Sequence, residues 1–162
     1  GEMIMSKMKI ADFYYGAVLS MLFNSHIKPA LVEGDDDRQI YDLTTNTGEC
    51  RLFIKYRADK EKRKTEDYSS WVFNLTDSDK QEILSYIDNG YNLVLALVCG
   101  VAGLSDSEIA VIDKDQIKEL LALGKSSITI SIKKGEHAFR ISVGGGRENA
   151  MKIKTNRFEE LF

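Results

Sequence analysis

The sequence predicts a mixed β-sheet flanked by helices, an α+β or α/β domain in a single unit. Three observations predict it. Apolar residues recur at helical spacing in the first segment. Three short strand-like runs follow in quick succession, separated by turn signals. A capped helix then leads into a continuous Leu/Val run, which is the order of a crossover returning to a sheet. At 162 residues and 43% apolar content, the chain has material for one sizeable core without disulfides or structural metal.

Each element has its own local reason. Between Ile10 and Asn24, the residues Ile10, Phe13, Tyr14, Ala17, Val18, Met21 and Leu22 make one wide apolar face. Asn24-Ser25 and then Pro29 stop this helix. Ala30–Glu33 reads as a short strand, the run Gly34 to Asp37 as a turn, and Gln39–Thr44 as a second strand. Asn46-Thr47-Gly48 is a hairpin signal, and Cys50–Arg57 is the third strand. Alternation there sends Cys50, Leu52, Ile54 and Tyr56 one way. Arg51, Phe53, Lys55 and Arg57 go the other, so one face is largely cationic. The charged run Asp59–Asp67 reads as a solvated loop or helix end, and Trp71–Leu75 as another strand.

Thr76 with Asp79 forms a capping-box pattern for a helix reaching about Asp88, with Asn89-Gly90 as its stop. Asn92–Val101 is a buried strand by composition, and Glu108–Ile112 is another. Asp113 with Gln116 caps a helix to about Leu123. Ser127–Ser142 reads as a hairpin turning at Lys134-Gly135-Glu136, and Ala150–Lys154 as a last strand. The expected organisation is one domain over 1–162, with a core from about 10 to 123 and a C-terminal β extension from about 127 to 162.

Composition narrows the classes of function. Lys and Arg total 22 against 25 Asp and Glu, so a polybasic, histone-like protein is excluded while a local basic groove is not. Only one proline is present, and no Ser/Gly tract, which argues against disorder. Cys50 and Cys99 stand far apart without a CxxC or Cys/His pattern, as expected of reduced thiols in a cytoplasmic protein. No apolar run approaches the ~18 residues a membrane span needs, and the N-terminus lacks the order of a secretion signal.

The second and third strands hold the sharpest chemical pattern. In RQIYDLTTNTGECRLFIKY, Asp42 lies on one strand and Lys55 on the next. Neighbouring strands bring such side chains within ~5–8 Å on one face. A carboxylate holding a divalent cation beside a lysine that orients water is the machinery of metal-assisted phosphodiester hydrolysis.

This order, from about Ile10 to Val101, resembles the PD-(D/E)XK, or restriction-endonuclease-like, superfamily of metal-dependent nucleases. The resemblance rests on a leading helix, a meander carrying Asp and then x-Lys, a helix and a buried strand. It implies a restriction-endonuclease-like core, with Asp42 as metal ligand and Lys55 as catalytic lysine. Mg²⁺ or Mn²⁺ would be the cofactor of an active enzyme. It further implies nucleic acid as partner, DNA before RNA, and a homodimer, since many members cut both strands as dimers. The family's second acid, two residues before the lysine, is Phe53 here. Phenylalanine cannot ligate a hard cation. Glu49 is the leading replacement because the hairpin brings it near Asp42. Glu33, Asp35, Asp36, Asp37 and Asp12 are the others.

Plainer readings stand beside these. Lys55 can be an ordinary strand lysine, Asp42 a ligand of turn amides, and Asp35-Asp36-Asp37 a solvated turn without the glycine of a calcium loop. His26 and His137 form no zinc pattern, Gly144-Gly145-Gly146-Arg147 lacks the Lys-Ser/Thr of a phosphate loop, and GxSxG is absent. Arg57, Lys60, Lys62, Arg63 and Lys64 form the expected nucleic-acid grip beside the catalytic strand, diluted by Asp59, Glu61, Glu66 and Asp67. The tail adds Lys133, Lys134, Arg140, Arg147, Lys152, Lys154 and Arg157.

Three functions therefore follow. The first is a metal-dependent endonuclease-like domain acting on or binding DNA. The second is a catalytically inactive module of the same fold that binds nucleic acid or a protein. The third is an unrelated fold with a chance motif.

Overall fold

The computed structural model describes residues 6–62 and 67–162. Arg63 and Lys64 of the expected grip lie outside the described residues. Helix α1 (Ile10–Asn24) precedes an antiparallel meander of β1 (Ala30–Gly34), β2 (Gln39–Thr45) and β3 (Gly48–Arg57). Then come β4 (Tyr68–Asn74), α2 (Asp77–Asp88), β5 (Leu93–Cys99), β6 (Glu108–Ile112) and α3 (Lys114–Ala122). The chain closes with β7 (Ser127–Lys133), β8 (Ala138–Ile141), β9 (Met151–Lys154) and α4 (Arg157–Leu161).

The strands divide into two sheets. One has the order β1-β2-β3-β5-β6, and the other β4-β7-β8-β9. In the first, β3 and β5 run parallel through the α2 crossover, from Arg51↔Leu93 to Arg57↔Cys99, while its other pairs are antiparallel. The architecture is thus α+β. The single sheet with a C-terminal extension expected from sequence is corrected: β4 leaves the meander and pairs with β7, from Tyr68↔Lys133 to Asn74↔Ser127.

Two apolar layers result, one on each face of the five-stranded sheet. On one side, α1 places Tyr14, Tyr15, Val18 and Leu22 against Leu43, Leu52, Ile54, Val94 and Ala96. On the other, Ile40, Phe53, Leu95 and Leu97 meet Trp71, Phe73, Ile130, Phe139 and Ile153 of the second sheet. Ile83 and Tyr86 of α2 and Ile117 and Leu120 of α3 close the edges of this layer. Because both faces are covered, the odd-numbered face of β3 is not a solvent-facing cationic surface. Arg51, Phe53 and Lys55 are all buried.

One glycine locks the layers together. A Cβ on Gly100 would lie 2.5 Å from the Tyr14 hydroxyl and 2.6 Å from the Arg57 carbonyl. Its own carbonyl accepts the Trp71 indole N–H at 2.8 Å. The capping box at Thr76 forms as the sequence indicates, with Asp79 N–H donating to Thr76 Oγ1 at 3.0 Å. Helix α4 has no sequence signal, being one short turn without a side-chain cap. It is held by Phe158 in the core and by Arg157, which donates to Asp113 at 2.6 Å. Among the described residues, no helix is long and apolar enough to cross a membrane.

Candidate functional site

The β2–β3 hairpin carries Asp42, Glu49 and Lys55, the three residues that the sequence put forward for catalysis. Its turn is Asn46-Thr47, so Thr45 pairs with Gly48 and the register follows as Leu43↔Cys50, Asp42↔Arg51 and Gln39↔Ile54. Gly48 takes φ +122, a conformation that side chains rarely adopt and that lets so tight a turn enter a strand at once. Asp42 and Lys55 do share a face, as alternation requires. They are not neighbours. Asp42 stands opposite Arg51, and Lys55 lies four residues further along β3, about 13 Å at the rise of an extended strand. The buried Ile40–Phe53 pair separates them.

At one end, Arg51 holds Asp42 with two parallel hydrogen bonds, Nε to Oδ1 at 2.8 Å and an Nη to Oδ2 at 2.9 Å. The same guanidinium stacks over Tyr86 at 4.6 Å and Tyr91 at 3.9 Å. The Arg51 hydrogen bonds keep the Asp42 carboxyl below its ordinary range. Glu49 sits at the exposed hairpin end, opposite Thr44, and lines the same cleft of about 470 Å³ as Asp42, Arg51 and Asn92. The hairpin therefore brings Asp42 and Glu49 to one cleft, with an arginine between the strands and Lys55 elsewhere.

At the other end, Lys55 donates to Asp79 Oδ2 at 2.7 Å. Arg38 donates to Asp79 Oδ1 at 3.0 Å and grips Glu33 through Nε and Nη at 3.0–3.2 Å. The Thr76 backbone N–H adds a further bond to Asp79 Oδ2 at 2.9 Å. Two carboxylates and two cations thus close a neutral cluster at the N-terminus of α2, where a negative side chain is favoured. Asp79 is 2% exposed. Burial alone would raise its pKa, but Lys55, the Thr76 amide and Arg38 outweigh it and leave the carboxyl below its ordinary range. Arg38 also lies over the Phe53 ring, 5.6 Å from its centroid.

The remaining acids are disposed elsewhere. Asp12 caps α1 by accepting from Lys9 N–H, and Asp36 pairs with Lys9 at 3.2 Å. Asp36 and Asp37 line a cleft of about 440 Å³ with Lys55, Arg57 and Asp59. Arg57 approaches Glu61 at 3.9 Å. Lys60 and Lys62 lie on the exposed loop after β3. Both thiols are buried, and burial raises their pKa, that of Cys50 to about 12.

A metal of the kind the resemblance implies does not fit these residues. Phe53 fills the acid position inside the core, both Asp42 oxygens are taken by Arg51, and the Lys55 ammonium faces a carboxylate. No group of three or more His, Cys, Asp or Glu side chains able to hold a metal ion occurs among the described residues. Asp79 and Arg38 are the site residues that sequence reasoning missed. The capping box did mark a carboxylate in the first turn of α2, and the tight hairpin register would have put Arg51, not Lys55, opposite Asp42. Compared with family models, curated proteins and solved structures, the chain gives no match.

Proposed function

We propose that this chain is a catalytically silent module of restriction-endonuclease-like type that binds nucleic acid. The element order α1-β1-β2-β3-β4-α2-β5, in which β3 and β5 run parallel within one sheet and β4 leaves for the second, supports the fold. One observation carries the silence: the lysine where such an enzyme activates water is neutralised by Asp79 at 2.7 Å. A buried ammonium paired in this way is a structural group, since breaking the pair would leave an uncompensated charge in the interior.

Nucleic acid as partner is supported by where the basic charge outside the Arg51–Asp42 and Lys55–Asp79 ion pairs lies. Arg57 lines the Lys55 cleft, Lys60 and Lys62 lie on the exposed loop that follows it, and the outer face of the second sheet carries Lys133, Arg140, Lys152 and Lys154. Net charge of −3 does not oppose this, because phosphate contacts are local.

The test is incubation of metal-free protein with duplex DNA, single-stranded DNA and RNA, in Mn²⁺ or EDTA, beside Asp42→Asn and Lys55→Ala. The expected outcome is a retarded nucleic-acid band and no cleavage in either condition. Manganese-dependent cleavage abolished by both substitutions would instead restore the active-nuclease reading. Absence of any retarded band would remove nucleic acid as the partner.

A further inference from the structure

The second sheet has an outer face that the ion clusters do not use. Trp71, Ile130, Phe139 and Ile153 turn inward, so alternation turns Tyr68, Ser70, Ser131, Lys133, Arg140 and Lys152 outward. Ser70↔Ser131, Ser131↔Arg140 and Arg140↔Lys152 are successive register pairs, so two hydroxyls and two cations form one row across four strands. Arg140 directly opposite Lys152 is a like-charge pair, which disfavours the sheet unless an anion lies over it. Glu136 supplies part of that charge, accepting from Arg140 Nε and Nη2 at 3.2 and 2.8 Å.

The triple glycine supplies the next part. Gly144, Gly145 and Gly146 all have φ between 80° and 94°, a run open to glycine alone. It folds the following turn back over the sheet, and the Arg147 guanidinium comes to rest 3.9 Å from the centroid of the Tyr68 ring. Arg140 Nη1 donates to the Arg147 carbonyl at 3.1 Å and fixes that turn. Between them lies a hollow of about 130 Å³ lined by Thr129, Ser131, Arg140, Ser142, Gly146 and Arg147, together with Ala150. Its lining holds two guanidinium side chains, three hydroxyls and no carboxylate. Ser70 Oγ, opposite Ser131, is buried without a hydrogen-bond partner. The volume exceeds the ~30 Å³ share of one water several-fold.

We infer that this hollow is a phosphate subsite for a single-stranded nucleic-acid backbone, with Arg147 as its cationic donor, Arg140, held by Glu136 and the Arg147 carbonyl, as the group that positions the Arg147 turn, and the Tyr68–Arg147 stack as the platform beside it. This rests on the nucleic-acid reading above and adds the place and strandedness. Arginine forks match phosphate oxygens in two parallel bonds, and hydroxyls complete the shell. Flat cationic surfaces with stacked groups take splayed single strands, whose bases are free to stack. Lys152 and Lys133 continue the positive track on either side.

The experiment measures fluorescence anisotropy of labelled single-stranded and duplex oligonucleotides against the full chain, with inorganic phosphate as competitor and as a thermal-shift ligand. Arg147→Ala is expected to weaken single-strand binding by roughly tenfold or more and to lower the salt slope by about one. Arg147→Lys should keep the salt slope while losing part of the affinity, because charge remains and the planar fork does not. Thermal melts of both variants verify folding. Wild-type binding that Arg147→Ala leaves unchanged overturns the hollow and spares the nucleic-acid reading. Tighter binding of duplex overturns the strandedness. No oligonucleotide binding, with a phosphate-induced melting shift lost in Arg147→Ala, overturns nucleic acid as the phosphate's source.

Discussion

Two ion pairs use cations from one face of β3, Arg51 with Asp42 of β2 and Lys55 with Asp79 of α2, and their surroundings set them apart. Arg51–Asp42 sits at the open end of the hairpin, with the Asp42 side chain 47% exposed. Lys55–Asp79 sits at the end that α2 covers, with side chains 10% and 3% exposed. Water can solvate Asp42 if Arg51 is lost. Among the described residues, the Asp79 carboxylate is hydrogen-bonded by Lys55, Arg38 and the Thr76 amide alone. The same charges are therefore a modest clamp at one end and an obligatory network at the other.

The largest expected effect follows from removing the shared centre of that network. Asp79→Ala leaves Lys55 and Arg38 buried without their common carboxylate and also removes half of a capping box. Loss of about 3–5 kcal/mol is expected, read as a fall in the urea midpoint at unchanged slope. A loss comparable to an ordinary surface change would mean that water reaches this cluster, and the contrast between the two ends would disappear.

Acid provides the next, smaller break. Asp79 and Asp42 both titrate below their ordinary value of 3.8, so each binds its proton less readily folded than unfolded. Their contribution is fully present above the unfolded pKa and is lost as pH falls through the folded one. Stability should hold from neutrality to about pH 4 and decline below it. In an urea titration repeated across pH, Asp79→Ala should show a shallower acid slope than wild type. An identical slope would assign the acid sensitivity to other carboxylates.

The smallest effect belongs to the exposed end. Asp42→Asn should cost no more than about 1 kcal/mol, because the Asp42 side chain is half-exposed and the amide keeps an oxygen that can accept from Arg51. It should leave the acid slope governed by Asp79. A larger loss would show that the Tyr86–Arg51–Tyr91 stack depends on Asp42 to hold the guanidinium in place.

Local signals made most elements legible. The Thr76–Asp79 and Asp113–Gln116 boxes, the Lys134-Gly135-Glu136 turn and the Leu/Val run of β5 depend on residues a few positions apart. The sheet to which β4 belongs was not legible, since its partner β7 begins more than fifty residues later. The cationic face of β3 misled for a related reason. Alternation says which residues share a face but not what covers it, and here α2 and the second sheet cover it. Helix α4 is too short for a periodic signal and exists because Phe158 finds a core and Arg157 finds Asp113.

By itself, the sequence determined the alternation of strands, the helix caps and the residue types available for ionic chemistry. These are set by backbone preferences and hydrogen bonds acting over a turn or two. Only the tertiary structure decided that Lys55 meets Asp79 rather than Asp42, and that Arg147 meets Tyr68. Such meetings depend on which helix and which sheet close over a strand, and the burial that follows decides whether a charge must be paired.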